Sequence, residues 1–196
     1  RELADGDEIR VGNTVLRFSM ADEMDLGFHD MVSQLVSTDG LTGLPSKRAF
    51  DDALDYALRC AIPHNQPLSI LMMDLDGVKS INDTHGHLFG AYIIGQTGGL
   101  IARQLAKKGQ ACRFGGDEFT AFLTGYDKQN ALVIAESIRK AVDTAGFEKD
   151  GVALHPTISI GVASFPDDGR TVQEIVAAAD EALYRAKGAG KNRVAT

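Results

Sequence analysis

The chain has 196 residues, 44% of them hydrophobic and 24% charged, and its 27 acidic and 20 basic side chains give a formal net charge of −7. That is the balance of a soluble globular domain with a short appendage, and it argues against binding nucleic acid through its phosphates. No apolar run reaches membrane-spanning length, no signal peptide opens the chain, and Cys60 and Cys112 have neither metal-ligand nor disulfide-framework spacing, so a reducing, cytoplasmic setting is expected. Arg1 stands in place of an initiator Met, which implies a piece of a longer protein.

Three zones follow in chain order. In residues 1–19, Asp5-Gly6-Asp7 is a turn signal, and short apolar runs at Ile9 and Val11 and at Val15, Leu16 and Phe18 flank a Gly12-Asn13 turn. This predicts a β-hairpin. A hairpin alone is marginal in water, so it is expected to belong to a domain whose remainder is missing. In residues 20–38, Met20, Met24, Phe28, Met31 and Leu35 recur at heptad-like spacings of four or three. That stripe fits a dimerising signalling helix or a linker helix packed on its own domain, and both readings stand.

Residues 39–196 read as one domain. Ser46 opens a helix with Phe50, Leu54, Ala57 and Leu58 on one face. Leu68 to Met73 is a continuous apolar run, the pattern of a strand buried on both faces. A helix is predicted from His87 to Lys107, weakened by Gly95, Gly98 and Gly99. Ala111–Phe114 and Phe119–Thr124 read as strands around a Gly-Gly turn. Asp127 caps a helix with Ala131, Ile134, Ala135, Ile138 and Val142 inward. Thr157–Phe165 is a strand, and Thr171 with Glu174 forms a capping box for a helix with Val172, Ile175, Val176, Ala179 and Leu183 inward. The order α-β-α-β-β-α-β-α predicts an α+β fold with helices over an antiparallel or mixed sheet.

Three clusters carry chemistry. Asp74-Leu75-Asp76 puts two carboxylates at the end of an apolar strand, where rigid scaffolds present ligands to magnesium; a helix cap or turn would use the same residues. Arg113-Phe114-Gly115-Gly116-Asp117-Glu118-Phe119 is a turn that lets a ligand approach the backbone, followed by two acids facing opposite ways; alone it is an ordinary polar hairpin. Lys187 and Lys191 end a helix four residues apart, as phosphate ligands or as plain C-terminal charges. Together they make a metal-plus-phosphate site.

These residues stand in the order of a known family. "RFGGDEF" resembles the signature of GGDEF domains, "DGLTGLPSKRAF" (39–50) its opening, "DLDGVKSINDTHGH" (74–87) its D-x-D-x-F-K-x-x-N-D-x-x-G-H segment, and "TISIGVAS" and "ADEALYRAKGAGKNRV" its closing strand and helix. The resemblance runs from Asp39 to Thr196. It implies a ferredoxin-like, palm-type nucleotidyl cyclase core that condenses two GTP into cyclic di-GMP as a homodimer, with Mg2+ or Mn2+. By position it implies catalytic roles for Asp74, Asp117, Glu118 and Lys187, and metal binding by Asp74, the Leu75 carbonyl, Asp117 and Glu118. It implies triphosphate contacts from Gly77, Val78, Lys79, Lys187 and Lys191, with Asp76 among the substrate-binding residues. Asn82 would read the base, and Gly115 and Gly116 would leave room for the nucleoside. "DGDEIRVGNTVLRF" resembles the last strands of a forkhead-associated domain, which would imply a phosphothreonine partner; a stray terminal hairpin is the other reading.

The chain departs from the family at Ala91, where an Asp accepts hydrogen bonds from guanine N1–H and the 2-amino group. Losing that acceptor costs about 1–3 kcal/mol of guanine recognition and removes the group that disfavours adenine. Some family members lacking this Asp also make cyclic GMP-AMP or cyclic di-AMP. Val78 replaces a usual Phe, and Lys191 replaces a usual Arg, keeping the charge without the bidentate fork. Ala106-Lys107-Lys108-Gly109 occupies the positions of the product-inhibition motif Arg-x-x-Asp, so no feedback through it is expected. Three functions follow: a diguanylate cyclase, a promiscuous cyclase that also accepts ATP, or a degenerate, non-catalytic nucleotide sensor. Intact Asp74, Asp117, Glu118 and Lys187 count against the third.

Overall fold

The computed structural model describes residues 7–12, 14–17 and 37–196, and the chain divides into two units, 1–36 and 37–196. In the first unit β1 (Glu8–Val11) pairs antiparallel with β2 (Thr14–Arg17), with Ile9 opposite Leu16 and Val11 opposite Thr14. Gly12 takes a φ of +62°, as a tight hairpin turn requires. The hairpin expected around Gly12-Asn13 is therefore present. The helix expected over residues 20–38 lies outside the described residues, apart from Ser37 and Thr38.

The second unit contains a five-stranded sheet in the order β4-β5-β3-β8-β9. Its strands are β3 (Leu68–Asp76), β4 (Gly109–Gly115), β5 (Glu118–Thr124), β8 (Thr157–Phe165) and β9 (Val194–Ala195). All neighbours run antiparallel except β8 and β9. Four longer helices cover it: α1 (Lys47–Ala61), α3 (His87–Leu105), α4 (Lys128–Asp143) and α5 (Val172–Gly188). The α+β architecture read from the sequence is the one observed.

Strand β3 sits at the centre because both its faces are apolar. Leu71, Met73 and Leu75 join a core with Ile93 and Ile101 of α3 and Ile134 and Ile138 of α4. Leu68, Ile70 and Met72 join a second core with Phe50, Leu54 and Leu58 of α1 and Ile175, Ala179 and Leu183 of α5. Period-two alternation thus assigns each side chain of β3 to one helical layer. The helix starts follow the caps read from the sequence. Ser46 Oγ accepts from the Ala49 N–H at 3.3 Å, Asp127 Oδ1 from the Asn130 N–H at 2.8 Å, and Thr171 and Glu174 form a reciprocal capping box.

Four of the elements were absent from the expected order. A short helix α2 (Val78–His85) follows β3 directly, starting from Gly77 at φ +87°. Only Val78 of α2 is buried, so it leaves no apolar periodicity to read. Strands β6 (Phe147–Lys149) and β7 (Val152–Leu154), of three residues each, form a hairpin, and β9 has two residues; none is long enough to show alternation. Two of the glycines that weaken α3, Gly95 and Gly98, have a packing reason. A Cβ on Gly98 would come within 2.6 Å of Thr42 Cβ, so the glycine lets residues 41–42 lie against the helix. Among the described residues, no helix is long and apolar enough to cross a membrane.

Helix α5 approaches β8 closely enough that a Cβ on Gly161 would run into the Ala179 carbonyl and the Leu183 N–H. Both obstacles are backbone and cannot rotate away. Gly161→Ala is expected to destabilise the domain by about 3 kcal/mol, the upper part of the overpacking range. A urea midpoint unchanged from wild type would contradict the contact.

Candidate active site

The burial of β3 ends in acid. Asp74 and Asp76 lie two residues apart and share the face of Leu68, Ile70 and Met72, which α1 and α5 cover. The register sets Asp74 directly opposite Glu118 of β5. Like charges opposed across strands repel. A cation offsets this: Lys187, in the last turn of α5, puts its Nζ 2.8 Å from Asp74 Oδ2.

Burial pushes the Asp74 carboxyl above its ordinary value; hydrogen bonding and charge from Lys187 oppose the shift, and the neighbouring charges of Asp117 and Asp76 add to it. Asp117 lies in the turn after β4, where its carbonyl accepts from the Leu75 N–H at 3.1 Å. Gly115 and Gly116 face open space where side chains would stand, and Gly116 has φ +53°. Arg113 braces this turn: its Nε donates to the Gly116 carbonyl at 2.8 Å and its Nη1 lies 3.6 Å from Asp39 Oδ2. Asp39 Oδ1 accepts from the Thr42 N–H at 2.8 Å and the Thr42 hydroxyl at 2.7 Å. Burial pushes the Asp39 carboxyl up, but these hydrogen bonds and Arg113 hold it below its ordinary value.

A cavity of about 370 Å3 opens between α2, α3 and the turn. It is lined by Val78, Lys79, Asn82, Gly116 and Asp117, all expected at the site, and also by Asp83, His87, Ile94 and Arg113. The first-turn N–H groups of α2 have no intrahelical acceptors, which suits phosphate. Asn82 Oδ1 is buried with no hydrogen-bond partner among the described residues, and it lies so close to Gly90 that a Cβ there would collide with it. An acceptor held this way is available to a donor on a ligand. Burial pushes the Cys112 thiol up to about 12, which makes it an inert core residue rather than part of the chemistry.

Other expected residues stand differently. Asp76 is 7% exposed, and its carboxylate accepts from the Thr157 hydroxyl at 2.9 Å, the Ser159 hydroxyl at 3.0 Å and the Asn192 N–H at 3.1 Å. These bonds fasten β3 to β8 and to the turn after α5. Ala91 lines a neighbouring cleft of about 350 Å3 with Leu41, Leu88, Tyr92, Gly95, Gln96 and Lys149. On α3 it falls between the face of His87 and Ile94 and the face of Leu88 and Gly95. Glu118, Lys187 and Lys191 stand outside the cavity lining. No cluster of three or more His, Cys, Asp or Glu side chains gathers around a metal position among the described residues. Magnesium needs fewer, because it takes one or two carboxylates beside phosphate oxygens. The close pair Asp74 and Asp117, with an electrostatic strain that a cation would relieve, fits that need.

The family model described as diguanylate cyclase, GGDEF domain, matches residues 36–193. The chain belongs to the GGDEF family. Diguanylate cyclase A of Treponema denticola is 37% identical over 164 residues, which cover 82% of this chain and 44% of that protein. Response regulator PleD of Caulobacter vibrioides is 36% identical over 163 residues, 82% of this chain and 36% of that one. The chain thus spans less than half the length of these relatives. The solved coiled coil and GGDEF domain of DgcB from Caulobacter crescentus, in complex with c-di-GMP, matches with a TM-score of 0.81 at 30% identity, over 88% of this chain and 92% of that one.

This GGDEF domain has no Arg-x-x-Asp motif at Ala106–Gly109, and its backbone disfavours one there. A Cβ at Gly109 would meet the Phe122 carbonyl, so an Asp there would push β4 away from β5.

Asp74 gives a test of the site. A carboxyl raised in the fold contributes stability that is fully present below its unfolded value and is lost as pH rises through the folded one. At neutral pH the ionised group is therefore a net cost without a ligand. Asp74→Asn is expected to raise the melting temperature of the ligand-free protein above pH 7, with the gain vanishing in acid. The same variant is expected to weaken Mg-nucleotide binding at least about a hundredfold, the upper end of what is lost with groups that support a metal. A variant that melts lower at neutral pH and binds normally would remove Asp74 from this role.

Proposed function

We propose that the domain is a metal-dependent nucleotidyl cyclase that condenses two GTP into cyclic di-GMP. The observation that carries this reading is the end of β3: Asp74 is paired with Lys187, set opposite Glu118 and electrostatically coupled to Asp117, beside a cavity that presents helix-start N–H groups and an unpartnered Asn82 oxygen. In each step a ribose 3′-oxygen attacks an α-phosphorus, the P–O bond to the β-phosphate breaks, and pyrophosphate leaves. Two such steps, one on each nucleotide, close the ring. Each protomer supplies one GTP, so the reaction needs a homodimer.

The work of the chain is positioning and charge neutralisation, which dominate phosphoryl-transfer catalysis. Bound magnesium, or manganese, supplies Lewis-acid polarisation of the phosphates; Asp74, Asp117, Glu118 and the Leu75 carbonyl are the groups that would hold it. Lys79, Lys187, Lys191 and the first turn of α2 take the triphosphate. Asn82 takes the base. Glu118 is also suited to accept the 3′-hydroxyl proton. GTP as substrate fits a cytoplasmic setting.

A second reading concerns selectivity. The Ala91 side chain offers no acceptor to guanine and presents only a methyl group to the neighbouring cleft that it lines. This favours a site that also admits ATP and yields cyclic GMP-AMP. The N-terminal hairpin supports the separate proposal of a forkhead-associated remnant, whose complete domain would dock a phosphothreonine segment.

A product assay on the full-length protein with Mg2+ and GTP, ATP or both tests these readings. Cyclic di-GMP with GTP is expected. Mixed products when ATP is present would establish relaxed selectivity, and Ala91→Asp is then expected to suppress them about tenfold or more. No dinucleotide under any condition, with nucleotide bound, would make the domain a sensor.

A further inference from the structure

We infer that Arg139, on α4, is a positioning residue for the phosphate-binding Lys191 and acts through Asn192. The inference rests on the nucleotide reading above. After α5 the chain places three consecutive residues at positive φ: Gly190 at +114°, Lys191 at +62° and Asn192 at +46°. Glycine adopts such angles freely and asparagine tolerates them, but lysine has no reason of its own to be there. A turn of this kind persists only where its surroundings over-determine it.

Asn192 is held from three sides. Its N–H donates to Asp76 Oδ2 at 3.1 Å, its Oδ1 accepts from Arg139 Nη1 at 2.7 Å, and its Nδ2 donates to Asp143 Oδ1 at 3.1 Å. Arg139 is itself fixed. Its side chain is 14% exposed, its Nε and Nη2 both donate to Glu136 at 2.9 Å, and its Nη1 also reaches Asp143 Oδ2 at 3.1 Å. On the other side of the turn the Lys191 N–H donates to the Ala186 carbonyl at 3.1 Å. The backbone of Lys191 is therefore clamped between the last turn of α5 and a strut that runs from Arg139 through Asn192 to Asp76. Asp76 stands two residues from Asp74, so the strut fixes Lys191 relative to the acids of β3.

Removing the guanidinium leaves Asn192 Oδ1 without its donor and frees the turn to relax, which turns Lys191 away. The buried face of α4, formed by Ala131, Ile134, Ala135, Ile138 and Val142, does not use Arg139, so the fold remains.

Equilibrium affinities for GTP and for guanosine, measured on the full-length protein with Ca2+ in place of Mg2+, test this in wild type, Arg139→Ala, Lys191→Ala and the double variant. Arg139→Ala is expected to weaken GTP about tenfold, leave guanosine unchanged and shift the melting temperature by no more than about 2 °C. In the Lys191→Ala background the same change is expected to cost at most about twofold, because both act on one contact. Unchanged GTP affinity, parallel loss of GTP and guanosine, or full additivity in the double variant would each overturn the inference while leaving the nucleotide reading intact. A wild-type protein that binds no GTP would overturn both.

Discussion

A strand with two apolar faces must end somewhere, and the acids of this domain gather where β3 ends. Six buried apolar residues commit β3 to the middle of the sheet, with helices on both sides. Asp74 follows with no change of direction. It inherits the rigidity of the core and the low polarity of its edge. Register then forces Glu118 beside it, and the turn that joins β4 to β5 brings Asp117 close. The fold assembles more negative charge than Lys187 balances. That imbalance costs stability: burial and the charges of Asp117 and Asp76 push the Asp74 carboxyl above its ordinary value against the pull of Lys187.

The surroundings of this point are built to keep it still. Arg113 ties the Gly116 carbonyl to Asp39, so the segment that begins the domain and the turn that carries Asp117 form one unit. Asp76 ties β3 to Thr157 and Ser159 of β8 and to the Asn192 backbone. Neighbouring acids of one short motif therefore differ: Asp74 pairs with Lys187, whereas Asp76 accepts from Thr157, Ser159 and the Asn192 N–H and holds the frame.

Much of this was legible in the sequence. Ser46, Asp127 and Thr171 announced helix starts because a cap is a local hydrogen bond and needs no tertiary context. Leu68 to Met73 announced the central strand because burial on both faces removes alternation. The short helix α2 escaped because one buried residue, Val78, makes no period. Strands β6, β7 and β9 escaped because two or three residues cannot alternate visibly. At the site, the acids and lysines were legible as types in order. What each one touches was not: sequence could not separate the saturated Asp76 from the available Asp74, nor show that Ala91 borders a second cleft. Arg113, His87 and Ile94 stood inside or beside quoted motifs, yet only the packing of α3 against the Gly-Gly turn shows them lining one cavity.

The close approach of Gly109 to the Phe122 carbonyl bears on history as well as on chemistry. Restoring an inhibitory Arg-x-x-Asp motif at Ala106–Gly109 is not a matter of two point substitutions. The hairpin would first have to open at its base, through a change that brings no benefit by itself.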